Sequence, residues 1–204
     1  LQDMGALNIN LVTPSHYIPL IRDSIVIAKE NGLNIPIIYN TSGYDRVESL
    51  KLLEGLIDIY LPDFKYYDDK LGKYSNVNDY FEIASLVLRE MYRQVGKLRY
   101  NKDGILVKGM IVRHLVLPNN YDDSKKIIKY LYDNYKDNII ISIMNQYTIT
   151  RRLEYSELND KVDEKEYDEI INYAYDLGIR NAFIQEDTSQ SDSFIPSFKG
   201  DMII

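Results

Sequence analysis

The chain has 204 residues, 45% of them apolar and 27% charged, with 24 basic side chains against 31 acidic ones and a formal net charge of −7. A chain of this length buries about 70% of its unfolded surface and needs no disulfide or metal to hold a core. It carries no basic patch of the kind that tracks phosphates, which excludes nucleic acid as an expected partner. No apolar run approaches the length that spans a bilayer, and no signal-peptide pattern opens the chain, so the expectation is a cytoplasmic protein with no membrane contact.

Leu1 to Gly5 reads as the last turn of a helix closed by a glycine, which implies further sequence upstream. Six short runs then read as strands: Asn8 to Thr13, Ile35 to Asn40, Ile57 to Pro62, Met110 to Leu117, Ile139 to Met144 and Arg180 to Gln185. They are rich in Ile, Val and Leu and hardly alternate, as strands buried on both faces do. Helical spacing fills the gaps. Ile18, Ile21, Ile25 and Ala28 form one buried face that Gly32 ends. Asp45 is placed to cap the helix that carries Leu50, Leu53 and Leu56. Phe81, Ala84, Leu88, Met91 and Val95 make a longer stripe before Gly96, and Ile127, Ile128, Leu131 and Tyr135 make another. Asp163 with Glu166 reads as a capping box for a last helix carrying Tyr167, Ile170, Ile171, Ala174 and Leu177, ended by Gly178.

Alternating strands and helices call for a mostly parallel α/β sheet, either doubly wound or a (β/α) barrel. No glycine-rich loop follows a strand, which argues against a nucleotide-binding Rossmann unit. Residues 98–109 read as a hairpin-like excursion and 147–162 as a charged loop. One domain is expected over 1–186, followed by an irregular tail over 187–204.

Polar residues gather where the strands finish: Thr13-Pro14-Ser15-His16, Asn40-Thr41-Ser42-Gly43, Asp63-Phe64-Lys65, Arg113-His114, Asn145-Gln146 and Gln185-Glu186. Ligands bind at the carboxyl ends of parallel strands, so this convergence marks the candidate site. Residues two apart share a strand face. Asn40 and Ser42 therefore face together, and Asp63 and Lys65 can present an acceptor and a cation to a zwitterionic ligand. Arg113 and His114 face opposite ways. An arginine in a buried strand needs a partner, and a structural pair with a nearby carboxylate is one reading of Arg113. Zinc on His16, Asp63 and His114 lacks supporting ligand spacing. The sequence contains no cysteine, which excludes disulfides, thiol nucleophiles and thiolate metal sites within these residues.

Taken in order, Asn8 to Tyr17, Ile38 to Tyr44, Asp58 to Tyr66, Glu90 to Gly96, Val112 to Pro118 and Met144 to Tyr147 resemble radical S-adenosylmethionine (SAM) proteins of the pyruvate formate-lyase activating enzyme group, in an iron–sulfur branch without a defined target. The resemblance implies a partial (β/α) barrel of the radical SAM type whose first βα unit is missing here. It also implies SAM, and a 4Fe-4S cluster held by a C-x-x-x-C-x-x-C loop. In that family, reductive C–S cleavage yields a 5′-deoxyadenosyl radical. By resemblance, Thr13 and His16 stand where a G-G-E-P-like run meets the SAM amino group. Asn40 and Ser42 match the contact to the methionyl or ribose part. Asp63 and Lys65 match the activating-enzyme D-x-K, with Lys65 near the SAM carboxylate. Val116-Leu117-Pro118 matches a V-x-P motif beside the adenosine, with Arg113 upstream and Asn119 in place of the usual glycine. His114, Asn145 and Gln146 fall toward the substrate opening.

The implied partners are a glycyl-radical enzyme or another protein substrate and an electron donor such as flavodoxin or ferredoxin. A dimer through the open sheet edge is a further expectation. Without thiolates the chain itself is expected to be inactive. Two other classes stay open: a barrel lyase or aldolase using Lys65 as a Schiff-base amine, and a non-catalytic protein-binding scaffold.

Overall fold

The computed structural model describes residues 1–149 and 152–185. Glu186 and the expected tail over 187–204 lie outside the described residues. The elements are β1 (Ile9–Val12), α1 (Ile18–Glu30), β2 (Ile37–Thr41), α2 (Val47–Lys51), β3 (Ile59–Pro62), α3 (Tyr80–Val95), β4 (Arg99–Tyr100), β5 (Leu106–Leu115), α4 (Tyr121–Tyr135), β6 (Ile140–Met144), α5 (Glu164–Asp176) and β7 (Ala182–Ile184). All six expected strands are present. No described helix is long and apolar enough to cross a membrane.

The seven strands form one sheet in the order β1-β2-β3-β5-β6-β7, with β4 off the path on β5. Every neighbour on the path is parallel, and only β4 runs antiparallel. Residues 98–109 are thus the hairpin that the polar, glycine-bearing sequence suggested. It lengthens β5 back to Leu106, upstream of the expected Met110. Gly109 is needed there: its φ is +140°, and a Cβ would stand 2.8 Å from a Leu98 methyl.

The strand order follows the chain without reversing, so the sheet has no switch point and is not doubly wound. Crossovers of one hand then put the helices on one side, which is the architecture of a partial (β/α) barrel. The register sorts the side chains. Ile37, Tyr39 and Thr41 on β2, Met110, Val112 and His114 on β5, and Ile141 and Ile143 on β6 are buried on the helix side. The alternate residues, among them Asn40, Leu61, Asp63, Arg113, Ser142 and Met144, are half-buried on the inner side. Apolar helix faces close the other layer: Ala84, Val87, Leu88 and Met91 of α3, Ile127, Ile128 and Leu131 of α4, and Tyr167 and Ile170 of α5. Each such large side chain contributes roughly 1.5–3 kcal/mol by leaving water.

Local signals match in part. Leu1 to Gly5 is a single 3-10 turn with Gly5 left-handed at φ 83°. Asp163 caps α5 by accepting from the Lys165 and Glu166 amides. The box is not closed by Glu166, because the Asp163 amide donates to the Tyr121 hydroxyl instead. Asp45 does not cap α2. Arg46 occupies that position, without a side-chain bond. Three hydroxyls reach the Asp45 carboxylate, and those bonds hold it away from the helix end.

Gly43 sits where β2 leaves the sheet. Its φ is +77°, and a Cβ there would lie 2.1 Å from the Asp63 carbonyl oxygen. Backbone cannot yield as a side chain tip does, so Gly43→Ala is expected to lower stability by about 1–3 kcal/mol in urea unfolding. An unchanged midpoint would contradict this close approach.

Candidate functional site

The strand ends are held together by charge. Asp63 continues β3 by a parallel bridge to Arg113 on β5. The Arg113 guanidinium donates through Nε to Asp63 Oδ1 at 2.9 Å and through Nη2 to Asn40 Oδ1 at 2.8 Å. Nη2 also lies 2.7 Å from Asp63 Oδ1, with both side chains about a quarter exposed. The Asp63 carboxylate is therefore only partly available to a ligand. One of its oxygens neutralises Arg113, and the structural pairing is the one realised. Lys65, two residues on, has no hydrogen bond or ion pair from its ammonium among the described residues.

Lys65 stands between two lobes of a cleft at the carboxyl ends of the strands. One lobe is a cavity of about 340 Å³ lined by Asp63, Tyr66, Tyr74, Leu115, Leu117, Met144, Tyr147, Leu153 and Leu158. The other is about 270 Å³ and more polar, lined by Thr13, Ser15, His16, Ser42, Tyr44, Ser75, Val77 and Tyr80. Lys65 lines both. The first can take a flat apolar group and the second a hydrogen-bonding one, with a single cation between them.

Several residues build the cleft in ways that the sequence did not indicate. The Tyr80 hydroxyl, at the start of α3, accepts from the Lys65 amide at 3.0 Å and lies 3.1 Å from the carbonyls of Ser42 and Asp63. Burial pushes its pKa well above the usual phenol range, so it remains a donor as well as an acceptor. Asp45 accepts from Ser15, Tyr39 and Thr41, and so clips the loop after β1 onto the end of β2. Thr13 opens that loop in the left-handed region at φ 52°, a costly conformation for a β-branched residue. Asp123 of α4 accepts from the Tyr67 and Asp68 amides and fixes the chain just past Lys65. Glu157 accepts from Lys73 Nζ and the Tyr74 hydroxyl, which draws Leu158 over the apolar lobe. Burial and the neighbouring Glu157 push the Tyr74 hydroxyl up to about 12.

The expected site residues divide. Thr13, His16, Ser42, Asp63 and Lys65 line the cleft, and Asn40 and Arg113 brace Asp63. Pro118 is buried, and its neighbour Leu117 lines the apolar lobe in its place. Gln146 accepts from the Gln185 side chain at 3.0 Å. Asn145 is 1% exposed and His114 is 2% exposed, so neither stands at an opening. The cause is strand parity, which turns both toward the helices. His114 Nδ1 meets the Phe64 carbonyl and Nε2 meets Ser124 Oγ, each at 2.9 Å. A carbonyl only accepts, so the proton is on Nδ1.

No family model matches the chain. Uncharacterized protein MJ0674 of Methanocaldococcus jannaschii is 32% identical over 144 residues, which cover 64% of this chain and 38% of that protein. The chain thus spans well under half the length of that curated relative. A domain of pyruvate-formate lyase-activating enzyme from Bacteroides vulgatus superposes with a TM-score of 0.57 at 16% identity, covering 88% of this chain and 98% of the other. Streptococcus suis SuiB, solved with its precursor peptide SuiA, superposes with a TM-score of 0.57 at 14% identity, covering 91% of this chain and 39% of SuiB. In fold the chain is similar to both.

Burial lowers the His114 pKa to about 4. Between about 6.5 and 4 the unfolded chain binds a proton there that the native chain does not, so stability falls as pH falls through that window. Urea midpoints at pH 7 and pH 5 are expected to differ less in His114→Gln than in the parent. Equal pH dependence in the two proteins would contradict the buried neutral imidazole.

Proposed function

We propose that this chain is the SAM-binding part of a radical SAM enzyme. The observation that carries the reading is the unpartnered Lys65 ammonium between an apolar lobe and a polar lobe. Fold likeness to an activating-enzyme domain supports it. In this reading the SAM carboxylate pairs with Lys65 Nζ. The adenosine lies against Tyr66, Leu115, Leu117 and Met144, and the methionyl end turns toward Thr13, His16 and Ser42. The neutral Asp63–Arg113–Asn40 brace sets the floor between them, and the second oxygen of Asp63, which takes no hydrogen bond among the described residues, faces the ligand as an acceptor. Leu153 and Leu158 shield the nucleoside from water.

Bound SAM would supply a carbon–sulfur bond whose one-electron reduction releases methionine and a 5′-deoxyadenosyl radical. The iron–sulfur cluster that delivers such an electron does not fit the residues of this chain. The sequence has no cysteine, and no group of three His, Cys, Asp or Glu among the described residues is placed to hold a metal. No electron-transfer step is assigned to them. A protein or peptide substrate, a glycyl-radical enzyme among them, and a flavodoxin or ferredoxin donor belong to the same reading for a complete enzyme.

Isothermal titration with SAM tests it. The chain is expected to bind, and Lys65→Ala to weaken binding about 10-fold or more, the loss of one charge-assisted hydrogen bond. No binding by the parent would overturn the reading. If borohydride instead traps a carbonyl compound on Lys65, the Schiff-base lyase reading takes its place, since both start from the same unpaired amine. After reconstitution with iron and sulfide the chain is expected to release no 5′-deoxyadenosine from SAM under reducing conditions, and release above background would contradict the misfit of the cluster.

A further inference from the structure

We infer that Tyr80 is a positioning residue that fixes Lys65 and thereby makes the cleft select ligands that carry a carboxylate; the inference rests on the SAM reading of the cleft. β3 ends at Pro62, and the ladder runs on only briefly, with the Asp63 amide on the Thr41 carbonyl at 2.9 Å. The Phe64 amide is still taken by the Arg113 carbonyl at 2.8 Å. The Lys65 amide finds no carbonyl among the described residues, and its acceptor is the Tyr80 hydroxyl at 3.0 Å. That hydroxyl can donate in turn to Ser42 or Asp63, each carbonyl 3.1 Å away. One oxygen therefore joins the main chain of three site residues from two strand ends.

The ring cannot drift. Tyr80 is 1% exposed, stacks on Tyr44 at 6.1 Å and 5°, and meets Tyr66 edge-on at 5.2 Å. Removing the hydroxyl keeps this packing but leaves the Lys65 amide without an acceptor, and such a group moves toward water. Lys65 is the only lysine or arginine lining either lobe among the described residues. Its displacement must therefore weaken the grip on a carboxylate while sparing contacts to the nucleoside.

Tyr80→Phe, titrated with SAM and with decarboxylated SAM, tests this. The second ligand keeps the sulfonium, the amine and the nucleoside and lacks only the carboxylate. The variant is expected to bind SAM about 5- to 10-fold more weakly and decarboxylated SAM within 2-fold of the parent. Adding Lys65→Ala is expected to cost SAM no more than Lys65→Ala alone. Equal weakening for both ligands, or additive losses, would mark Tyr80 as merely structural and overturn the inference.

Competitive acetylation read by mass spectrometry needs no ligand. Reactivity at Lys65, relative to the other lysines, is expected to change in Tyr80→Phe, and unchanged reactivity overturns the inference. Changed reactivity in a chain that binds neither ligand would sink the SAM reading and leave the anchoring of Lys65 supported. In the parent protein the Lys65 amide is expected to exchange with solvent as slowly as its β3 neighbours. Fast exchange overturns the inference even if the variant fails to fold.

Discussion

The arrangement of the cleft depends on how one arginine is neutralised. Arg113 sits on the inner face of a parallel strand, where an unpaired guanidinium is costly. Asp63 and Asn40 satisfy it from the two strands on one side. This fixes the lateral order of β2, β3 and β5 at their carboxyl ends. It also decides the charge of the site, because the acid of the D-x-K run neutralises Arg113 and the lysine has no ion-pair partner among the described residues. A cleft with a neutral floor and one cation suits an anionic group.

Around that brace the chain uses side-chain hydrogen bonds to hold loops at the strand ends. Tyr80 serves the ends of β2 and β3, Asp45 the loop after β1, and Asp123 the segment past Lys65. Each comes from an element other than the one it fixes. The residues that face the ligand thus sit on loops, while their positions are set by packed helices and strands, an arrangement that supports both access and geometry.

Much of this was legible in the sequence. Apolar runs of Ile and Val located all six parallel strands, and glycine stops located the ends of α1, α3 and α5. Strand parity separated Arg113 from His114. The same alternation turns Asn145 away from the cleft and keeps Gln146 on the inner side, so gathering all strand-end polar residues into one site claimed too much. Other features were not legible because they are long-range. Asp45 precedes a helix and resembles a cap, yet its partner Ser15 is thirty residues away. Tyr80 reads as one aromatic among nineteen tyrosines, and nothing local reveals that its hydroxyl meets Ser42, Asp63 and Lys65. The charged look of residues 147–162 likewise hid Tyr147, Leu153 and Leu158, which line the apolar lobe. Sequence distinguishes sheet face from helix face well, and it does not reveal which carboxylate an arginine will take.

A crystal structure of the chain soaked with SAM would bear most directly on the charge assignment. The account predicts the ligand carboxylate within hydrogen-bond distance of Lys65 Nζ, with the Asp63–Arg113 pair intact beneath it. A carboxylate seated on Arg113 with Asp63 displaced, or a ligand bound away from these strand ends, would contradict it.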